Sequence, residues 1–206
     1  MPEVLLATGN PHKLEEVRAV LEPIGWRVLG IDDLDGPSPP EPVEDADTFE
    51  GNARIKAVAY ARATGRMALA DDSGLEVDAL GGAPGVLSAR FSGVDGDRET
   101  RDRANNRLLV ERLSGTTEAE RSARFVCCMC LATPEGEVLA ETRGTFDGRI
   151  VLEPRGVNGF GYDPHLLLPD EGRTSAELAP EEKNARSHRG AATRAMAKAM
   201  ADLEPA

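Results

Sequence analysis

The sequence predicts an α/β fold with a central mixed sheet and flanking helices. Short apolar segments alternate with helical patterns along most of the chain, and two long strand-like segments around Pro134-Glu135-Gly136 predict a hairpin. The chain has 206 residues, of which 40% are hydrophobic and 29% are charged, which is enough material for a globular core. Because no linker-like stretch interrupts the sequence, we expect a single domain over residues 1–206.

The first predicted strand, Glu3–Thr8, leads through a polar turn into a helix that Pro11 can open. A helix N-terminus offers unpaired N–H groups and the positive end of its dipole to a phosphate. Thr8, Asn10 and Lys13 would add a hydroxyl, an amide and an ammonium to such a site. The missing Gly-Lys-Ser/Thr excludes a Walker loop, and an ordinary turn capped by Asn10 remains the alternative.

A second predicted helix opens after an acidic, proline-rich loop. Asp47 and Glu50 fit a capping box at its start. Asn52 and Lys56 lie one turn apart on the same face of this helix, which could point at phosphates. Glu44, in the loop just before the helix, is a candidate carboxylate ligand for a metal ion, and an exposed loop acid is the alternative.

Two adjacent carboxylates, Asp71 and Asp72, follow a short apolar run at Met67–Ala70 that predicts a buried strand. Ser73-Gly74 is typical of a turn directly after that strand. Because successive side chains of a strand point to opposite faces, one carboxylate can face a hydrated magnesium ion while the other orients a neighbour or the attacking water. The alternative is a turn with two solvated acids.

Four further segments predict three strands and one helix. Trp26–Ile31 predicts a second strand, and Asp97–Leu113 predicts a highly charged helix whose arginines we expect to be solvated. Ser122–Thr133 and Val138–Ile150 predict the two strands of the hairpin.

Two segments in the C-terminal part carry candidate ligand contacts. The loop Asn158–Pro164 holds two aromatic residues in a chain whose aromatic content is only 4%, and its glycines would let a flat ligand approach. Phe160 could stack on a nucleobase, with core burial as the alternative. Asp163 could support the metal site or serve the turn. Ser187–Gly190 places basic side chains before a predicted C-terminal helix, which suits a base carbonyl or a phosphate, and a surface cap with an ion pair is the alternative.

Composition restricts the class of ligand. The formal net charge of −12 disfavours a nucleic-acid polymer but is compatible with a small phosphorylated ligand held by local basic groups, a metal or backbone amides. No apolar stretch approaches the roughly 20 residues of a membrane span, and no signal-peptide pattern is present, so we expect no membrane partner and a cytoplasmic location. Cys127, Cys128 and Cys130 are crowded in one apolar run, and we expect reduced core cysteines.

Six motifs, in order, resemble the Ham1 family of inosine triphosphate pyrophosphatases, which act on non-canonical purine nucleoside triphosphates. They are ATGNPHK from Ala7, TFEGNA from Thr48, ADDSGLEVDALGGAPG from Ala70, SARFSG from Ser88, GFGYDP from Gly159 and EEKNARSHRG from Glu181. These motifs span the chain nearly from end to end. The resemblance implies an α/β fold with a central mixed sheet, two lobes around a nucleotide cleft, and a homodimer.

The resemblance also implies roles for individual residues. The residues that would hold the triphosphate are Thr8, Gly9, Asn10, Pro11, His12, Lys13, Asn52 and Lys56. The ligands of Mg²⁺ would be Glu44 and Asp72, and Asp72 would also be the proton acceptor. Further contacts with the substrate would come from Ser73, Phe160, Gly161, Tyr162, Asp163 and Lys183. The 6-oxo group of the purine would be recognised by His188 and Arg189.

The predicted reaction is hydrolysis of ITP, dITP or XTP to the monophosphate and pyrophosphate. The chain departs from the family pattern in the acidic loop, where the family often has Glu-Glu-Thr-Gly and this chain has Val43-Glu44-Asp45-Ala46. Two alternatives stay open from the sequence. One is a Maf-like pyrophosphatase acting on dTTP or modified pyrimidine nucleotides, and the other is a nucleotide sensor without turnover.

Overall fold

The computed structural model describes residues 1–201 and Leu203. Its strands are β1 (Glu3–Leu6), β2 (Arg27–Leu29), β3 (Ala68–Val77), β4 (Ser122–Ala132), β5 (Val138–Ile150), β6 (Leu166–Leu168) and β7 (Arg173–Thr174). Within the described residues these strands form one sheet in the order β2-β1-β3-β4-β5-β6-β7. β1 pairs parallel with β2 and β3, whereas β6 pairs antiparallel with β5 and β7. The predicted α/β fold with a central mixed sheet is therefore confirmed.

The α-helices begin at residues with recognisable capping signals. They are α1 (Pro11–Leu21), α2 (Phe49–Thr64), α3 (Arg98–Leu113), α4 (Pro180–Arg186) and α5 (His188–Ala201). The side chain of Asn10 caps α1 by accepting a hydrogen bond from the backbone N of His12 at 3.1 Å. Asp97 caps α3 in the same way, accepting from Thr100 N at 2.8 Å. Such caps satisfy backbone donors that the first helical turn leaves unpaired, so both helices start where the sequence predicts.

The chain divides into two compact units. The first comprises residues 1–72, residues 127–144 and the chain from residue 188 onward, and the second comprises residues 73–126 and 145–187. The prediction of one domain over residues 1–206, and that of a nucleotide cleft, stay predictions.

In the first unit, the strands are covered by helices on both faces. Leu6 of β1 and Leu69 of β3 belong to a core cluster with α1 and α5, which contribute residues such as Leu21 and Met196. Leu5, one residue before Leu6, belongs to a different cluster that contains alanines of α2. Because strand side chains alternate between the two faces, α1 and α5 cover one face and α2 covers the other. This alternation decides which helix each residue of β3 faces.

The second unit has its own hydrophobic core. Leu109 and Leu113 of α3 are fully buried there with Leu75 of β3, Ile150 of β5 and Leu166 of β6. These two leucines therefore form the face of the charged helix α3 that packs into this core.

Two local predictions are wrong. Ser73-Gly74 forms no turn, since β3 continues through both residues to Val77. A Cβ at Gly74 would lie 2.4 Å from Ser88 Oγ and 2.6 Å from the Gly85 carbonyl oxygen, so this glycine permits a close approach of two segments. The capping box at Asp47 is also wrong, because the N-cap of α2 is Thr48, whose hydroxyl oxygen accepts from Gly51 N at 3.1 Å.

Other predictions hold with shifted ends. β1 ends at Leu6 and β2 is only Arg27–Leu29, so both are shorter than predicted. β4 and β5 are neighbours in the sheet, and Thr133 N donates to the Glu137 carbonyl oxygen in the turn that joins them. No helix of residues 1–201 is both long enough and apolar enough to cross a membrane.

Candidate active site

The connection from β1 to α1 has the predicted strand, turn and helix geometry. Thr8 is half-buried and its hydroxyl oxygen accepts from Asn10 N at 3.2 Å, while Gly9 and His12 are exposed. Pro11 is the first residue of α1, where its missing N–H costs nothing. The first turn of α1 therefore starts next to exposed, polar chain, as an anion site requires.

Asp71 and Asp72 point to different sets of partners because they alternate along β3. Asp71 follows the parity of Leu69 and faces the side covered by α1 and α5, whereas Asp72 follows the parity of Ala70 and faces α2. The prediction that the two carboxylates take separate roles thus has a structural basis. Their surroundings differ in charge as well as in direction.

Asp71 is the centre of a buried ion-pair network. Its Oδ2 lies 2.8 Å from Lys13 Nζ of α1 and 3.3 Å from Arg189 Nε of α5. Arg189 Nη1 also lies 2.5 Å from Glu16 Oε2. Burial alone would raise the pKa of Asp71, but the charges of Lys13 and Arg189, with that of Lys56, hold it well below its usual range. Asp71 is therefore a fixed negative charge that orients two cations.

Asp72 belongs to a second group, formed with α2 and the acidic loop. Asn52 Nδ2 donates to Asp72 Oδ2 at 3.1 Å. Lys56 Nζ lies 2.8 Å from Glu44 Oε2 and 3.4 Å from Asp72 Oδ1, so one ammonium touches both carboxylates. Asn52 Oδ1 also accepts from Ala46 N at 3.0 Å, which fixes the acidic loop against α2. The structure thus brings together four residues that the sequence singled out.

Electrostatics make Asp72 unlike its neighbour. Burial raises the pKa of Asp72 above its usual value, and the nearby charge of Glu44 adds to this, while Lys56 and Asn52 oppose it. Burial alone would lower the pKa of Lys56, but Asp72, Asp71 and Glu44 raise it, so Lys56 is a protonated ammonium. The single ammonium of Lys56 balances only one of the two negative charges of Glu44 and Asp72. The group therefore favours an additional positive charge.

These carboxylates suit a hard divalent cation. Magnesium is usually held by one or two protein carboxylates together with substrate phosphates and waters. Glu44 and Asp72 provide that donor set. Among residues 1–201 and Leu203, no group of three or more His, Cys, Asp or Glu side chains is placed to hold a metal ion by itself. Glu44 and Asp72 are two carboxylates that could hold a metal ion together with oxygen atoms of a bound ligand.

In the second unit, a buried ion pair organises the aromatic loop. Asp163 Oδ2 lies 2.5 Å from Lys183 Nζ of α4 and accepts from Phe160 N at 2.8 Å. Asp163 Oδ1 accepts from Ser175 Oγ at 2.8 Å. Tyr162 is buried and donates its hydroxyl proton to the Ser88 carbonyl oxygen at 2.8 Å. Asp163 is thus the residue that fixes this loop and Lys183 together.

The half-buried ring of Phe160 is in contact with cations. Lys183 Nζ lies 5.3 Å from the ring centroid, and the guanidinium carbon of Arg98 lies over the ring at 4.1 Å. Both distances are within the range of a cation–π interaction. Arg98 of α3 keeps 40% of its side chain exposed, as expected for a solvated arginine, but it also contacts this ring. Its contact with Phe160 joins residues far apart in sequence, and no local pattern signals it.

The remaining predicted residues have defined positions. Ser73 continues β3 after Asp72 and is half-buried. His188 and Arg189 do not precede the C-terminal helix but form the first turn of α5, where both are buried. Burial raises the pKa of the Cys128 and Cys130 thiols to about 12, with the acidic side chains of Glu50 and Glu141 contributing. Together with buried Cys127, these free cysteines are the reduced core residues that the sequence predicts.

Comparison with known proteins agrees with this geometry. An open mixed sheet with helices on its faces is an α/β architecture, and here it combines a strand–turn–helix connection at α1 with charged side chains along β3. The model of the Ham1 family matches residues 4–199. The chain belongs to the Ham1 family.

Individual relatives are similar over nearly their whole length. A protein of Exiguobacterium sp. named dITP/XTP pyrophosphatase is 51% identical over 192 residues, which are 93% of each chain. One of the same name from Thermus thermophilus is 47% identical over 98% of this chain and 94% of its own. The solved structure of a HAM1 protein from Coxiella burnetii is 38% identical, covers 98% of this chain and 100% of that chain, and superposes with a TM-score of 0.87.

Proposed function

We propose that the protein hydrolyses non-canonical purine nucleoside triphosphates, such as ITP, dITP and XTP, to the monophosphate and pyrophosphate. It is a nucleoside triphosphate pyrophosphatase that removes these nucleotides from the pool. The observation that carries the proposal is the contact of Lys56 with both Glu44 and Asp72, in a chain whose relatives are named dITP/XTP pyrophosphatase. The same names do not favour a pyrimidine nucleotide as the substrate.

Binding of the triphosphate is assigned to the first unit. The exposed turn before α1 offers backbone N–H groups, and Lys13 and Lys56 offer positive charge. Lys13 is held by Asp71, and Lys56 by Glu44 and Asp72, so neither ammonium has to be ordered when the substrate arrives. Such preorganisation reduces the entropy lost on binding.

We assign the metal to Glu44 and Asp72 and propose Mg²⁺ as the ion. When bound, it would neutralise charge on the phosphates and on the departing pyrophosphate. The side chains of Lys56 and Asn52 hold the two carboxylates in place for the ion. Lys56 keeps the two carboxylates close together, and Asn52 binds both Asp72 and the backbone of the acidic loop.

Asp72 is assigned as the group that orients the attacking water and accepts its proton. Asn52 and Lys56 contact the two oxygens of its carboxylate and hold it in place for this role. The proton leaves the water as its oxygen attacks the α phosphorus, and the bond from that phosphorus to the bridging oxygen breaks. Pyrophosphate then departs with the electron pair of that bond.

Recognition of the base is assigned to two groups. One group, in the second unit, is proposed to contact the base and the ribose. Its members are Ser73, Phe160, Gly161, Tyr162, Asp163 and Lys183. His188 and Arg189 are proposed to donate hydrogen bonds to the 6-oxo group. The ion pairs of Arg189 with Asp71 and Glu16 hold its guanidinium in a fixed position. Adenine would present an amine to the same donors and leave them unpaired, which disfavours ATP.

A substrate panel tests the proposal. Purified protein is incubated with Mg²⁺ and with ITP, XTP, ATP or dTTP, and the products are separated by ion exchange. We expect monophosphate and pyrophosphate from ITP and XTP, with ATP largely spared. Turnover confined to dTTP would support the pyrimidine enzyme, and binding of ITP without products would support a sensor. Light scattering in the same buffer tests the homodimer, which the family resemblance implies. Cell fractionation tests the cytoplasmic location, which is expected from the sequence pattern.

A further inference from the structure

One face of α3 contacts the aromatic loop through three polar side chains. Arg98, Asp102 and Asn106 are spaced four residues apart, so they lie along the same side of the helix. Arg98 lies over the ring of Phe160 at 4.1 Å. The other two side chains contact the residue that follows Phe160.

Both main-chain polar groups of Gly161 are bound by this face. Gly161 N donates to Asp102 Oδ2 at 3.0 Å, and Asn106 Nδ2 donates to the Gly161 carbonyl oxygen at 2.9 Å. Arg98 Nε lies 3.8 Å from Asp102 Oδ2, so the ring contact and the backbone contact share a partner. The three residues thus hold Phe160 from its face and the adjoining peptide from both sides.

The loop needs such support because of its backbone. Gly159 has φ of +77° and Gly161 has φ of +60°, so glycines in the left-handed region flank Phe160 on both sides. A glycine has more conformational freedom than any other residue when the chain is not ordered. Ordering it therefore costs more entropy than ordering another residue. Asp163 accepts from Phe160 N, which fixes the loop at a second point. The contacts from α3 act on the part that Asp163 does not reach.

We propose that Arg98, Asp102 and Asn106 are positioning residues that fix Phe160 and Gly161 for contact with the nucleobase. This inference rests on the proposed function for its substrate but not for its geometry. The three residues act through the loop, and no direct contact with the phosphates is assigned to them. Their loss should weaken binding of the base while leaving the chemical step nearly unchanged, because stacking contributes equally to ground state and transition state.

The chain offers a matched control on the same helix. Arg103 of α3 lies 3.0 Å from Glu99, an i,i+4 pair like that of Arg98 and Asp102. The Arg103 side chain is 69% exposed, and Arg103 is not among the residues of the proposed site. Arg103→Ala therefore reproduces the loss of an arginine and of a helical ion pair without affecting the loop.

The first measurement is amide hydrogen exchange over residues 158–163, which requires no substrate. We expect Arg98→Ala, Asp102→Ala and Asn106→Asp each to speed exchange in this segment about fivefold or more, the equivalent of one lost hydrogen bond. Asp102→Asn keeps an acceptor for Gly161 N and should restore most of the protection. Arg103→Ala should match the wild type. If Arg98→Ala and Asp102→Ala also match it, the positioning role is overturned.

The second measurement links the loop to the base. We expect KM for ITP to rise about fivefold to tenfold in Arg98→Ala and Asp102→Ala, with kcat within about twofold of the wild type. The inhibition constant of tripolyphosphate, which has no base, should not change. Faster exchange with an unchanged KM would overturn the link to the base. If the wild type does not hydrolyse ITP, the proposed function fails, and the exchange data alone decide whether these residues position the loop.

Discussion

Lys13 Nζ lies 2.8 Å from Asp71 Oδ2, and that carboxylate is almost completely buried. Arg189 shares the same oxygen from α5, so a single carboxylate oxygen connects the start of α1 with the start of α5. Asp72, the next residue, contacts Asn52 and Lys56 instead. The alternation of β3 therefore gives the two neighbouring carboxylates separate sets of partners.

Asp71→Asn should destabilise the protein strongly. The substitution removes the negative charge that half-buried Lys13 and buried Arg189 share, although Arg189 keeps its ion pair with Glu16. Removal of one member of a buried ion pair costs about 3–5 kcal/mol. Urea unfolding followed by circular dichroism measures the change in the free energy of unfolding. Asp95→Asn, at an exposed loop position, is the matched control and should change it by less than about 0.5 kcal/mol. Equal stability of the two variants would contradict the assigned role of Asp71.

Asp72→Asn should show the opposite behaviour. Burial disfavours the charge of Asp72, so neutralising it should change the free energy of unfolding by no more than about 1 kcal/mol. The same change removes the proton acceptor and should lower kcat by about 10²-fold to 10⁴-fold. Steady-state release of pyrophosphate from ITP, with Asp95→Asn as control, measures this loss. A variant with full turnover would exclude Asp72 as the base.

The parts of the site that sequence predicts well are those with local signals. Pro11 and Asn10 mark the start of α1, and the spacing of Asn52 and Lys56 places both on one helix face. The same alternation rule predicts that Asp71 and Asp72 diverge. These features depend on a few neighbouring residues and on helix or strand periodicity, which the sequence displays directly.

Two features that sequence reasoning missed depend on distant residues. Gly74 has the composition of a turn, but the reason for a glycine there is the approach of Ser88 and Gly85. The contact of Arg98 with Phe160 joins α3 to a loop more than one element away. A charged helix gives no local sign of which arginine is packed against a ring.

Glu44→Gln should weaken the binding of Mg²⁺. The variant loses one of two carboxylate ligands, so the Mg²⁺ concentration for half-maximal activity should rise about tenfold or more. A titration of MgCl₂ at fixed ITP measures this midpoint. Glu41→Gln is the control, because Glu41 is exposed in the same acidic loop. Identical midpoints for the two variants would remove Glu44 from the metal site.

His188→Ala should reduce discrimination between ITP and ATP. Loss of a donor aimed at the 6-oxo group should lower the ratio of kcat/KM for ITP to that for ATP about tenfold. His12→Ala provides a control at the phosphate end, because the two substrates share the same phosphates and should be affected equally. An unchanged ratio in His188→Ala would show that this residue does not recognise the base.

The position of water attack is the central claim. The wild-type protein is incubated with ITP and Mg²⁺ in water enriched in ¹⁸O, and the products are separated and analysed by mass spectrometry. Attack at the α phosphorus predicts one ¹⁸O atom in inosine monophosphate and none in pyrophosphate. Label in pyrophosphate, or release of diphosphate and inorganic phosphate, would contradict the mechanism assigned to Asp72.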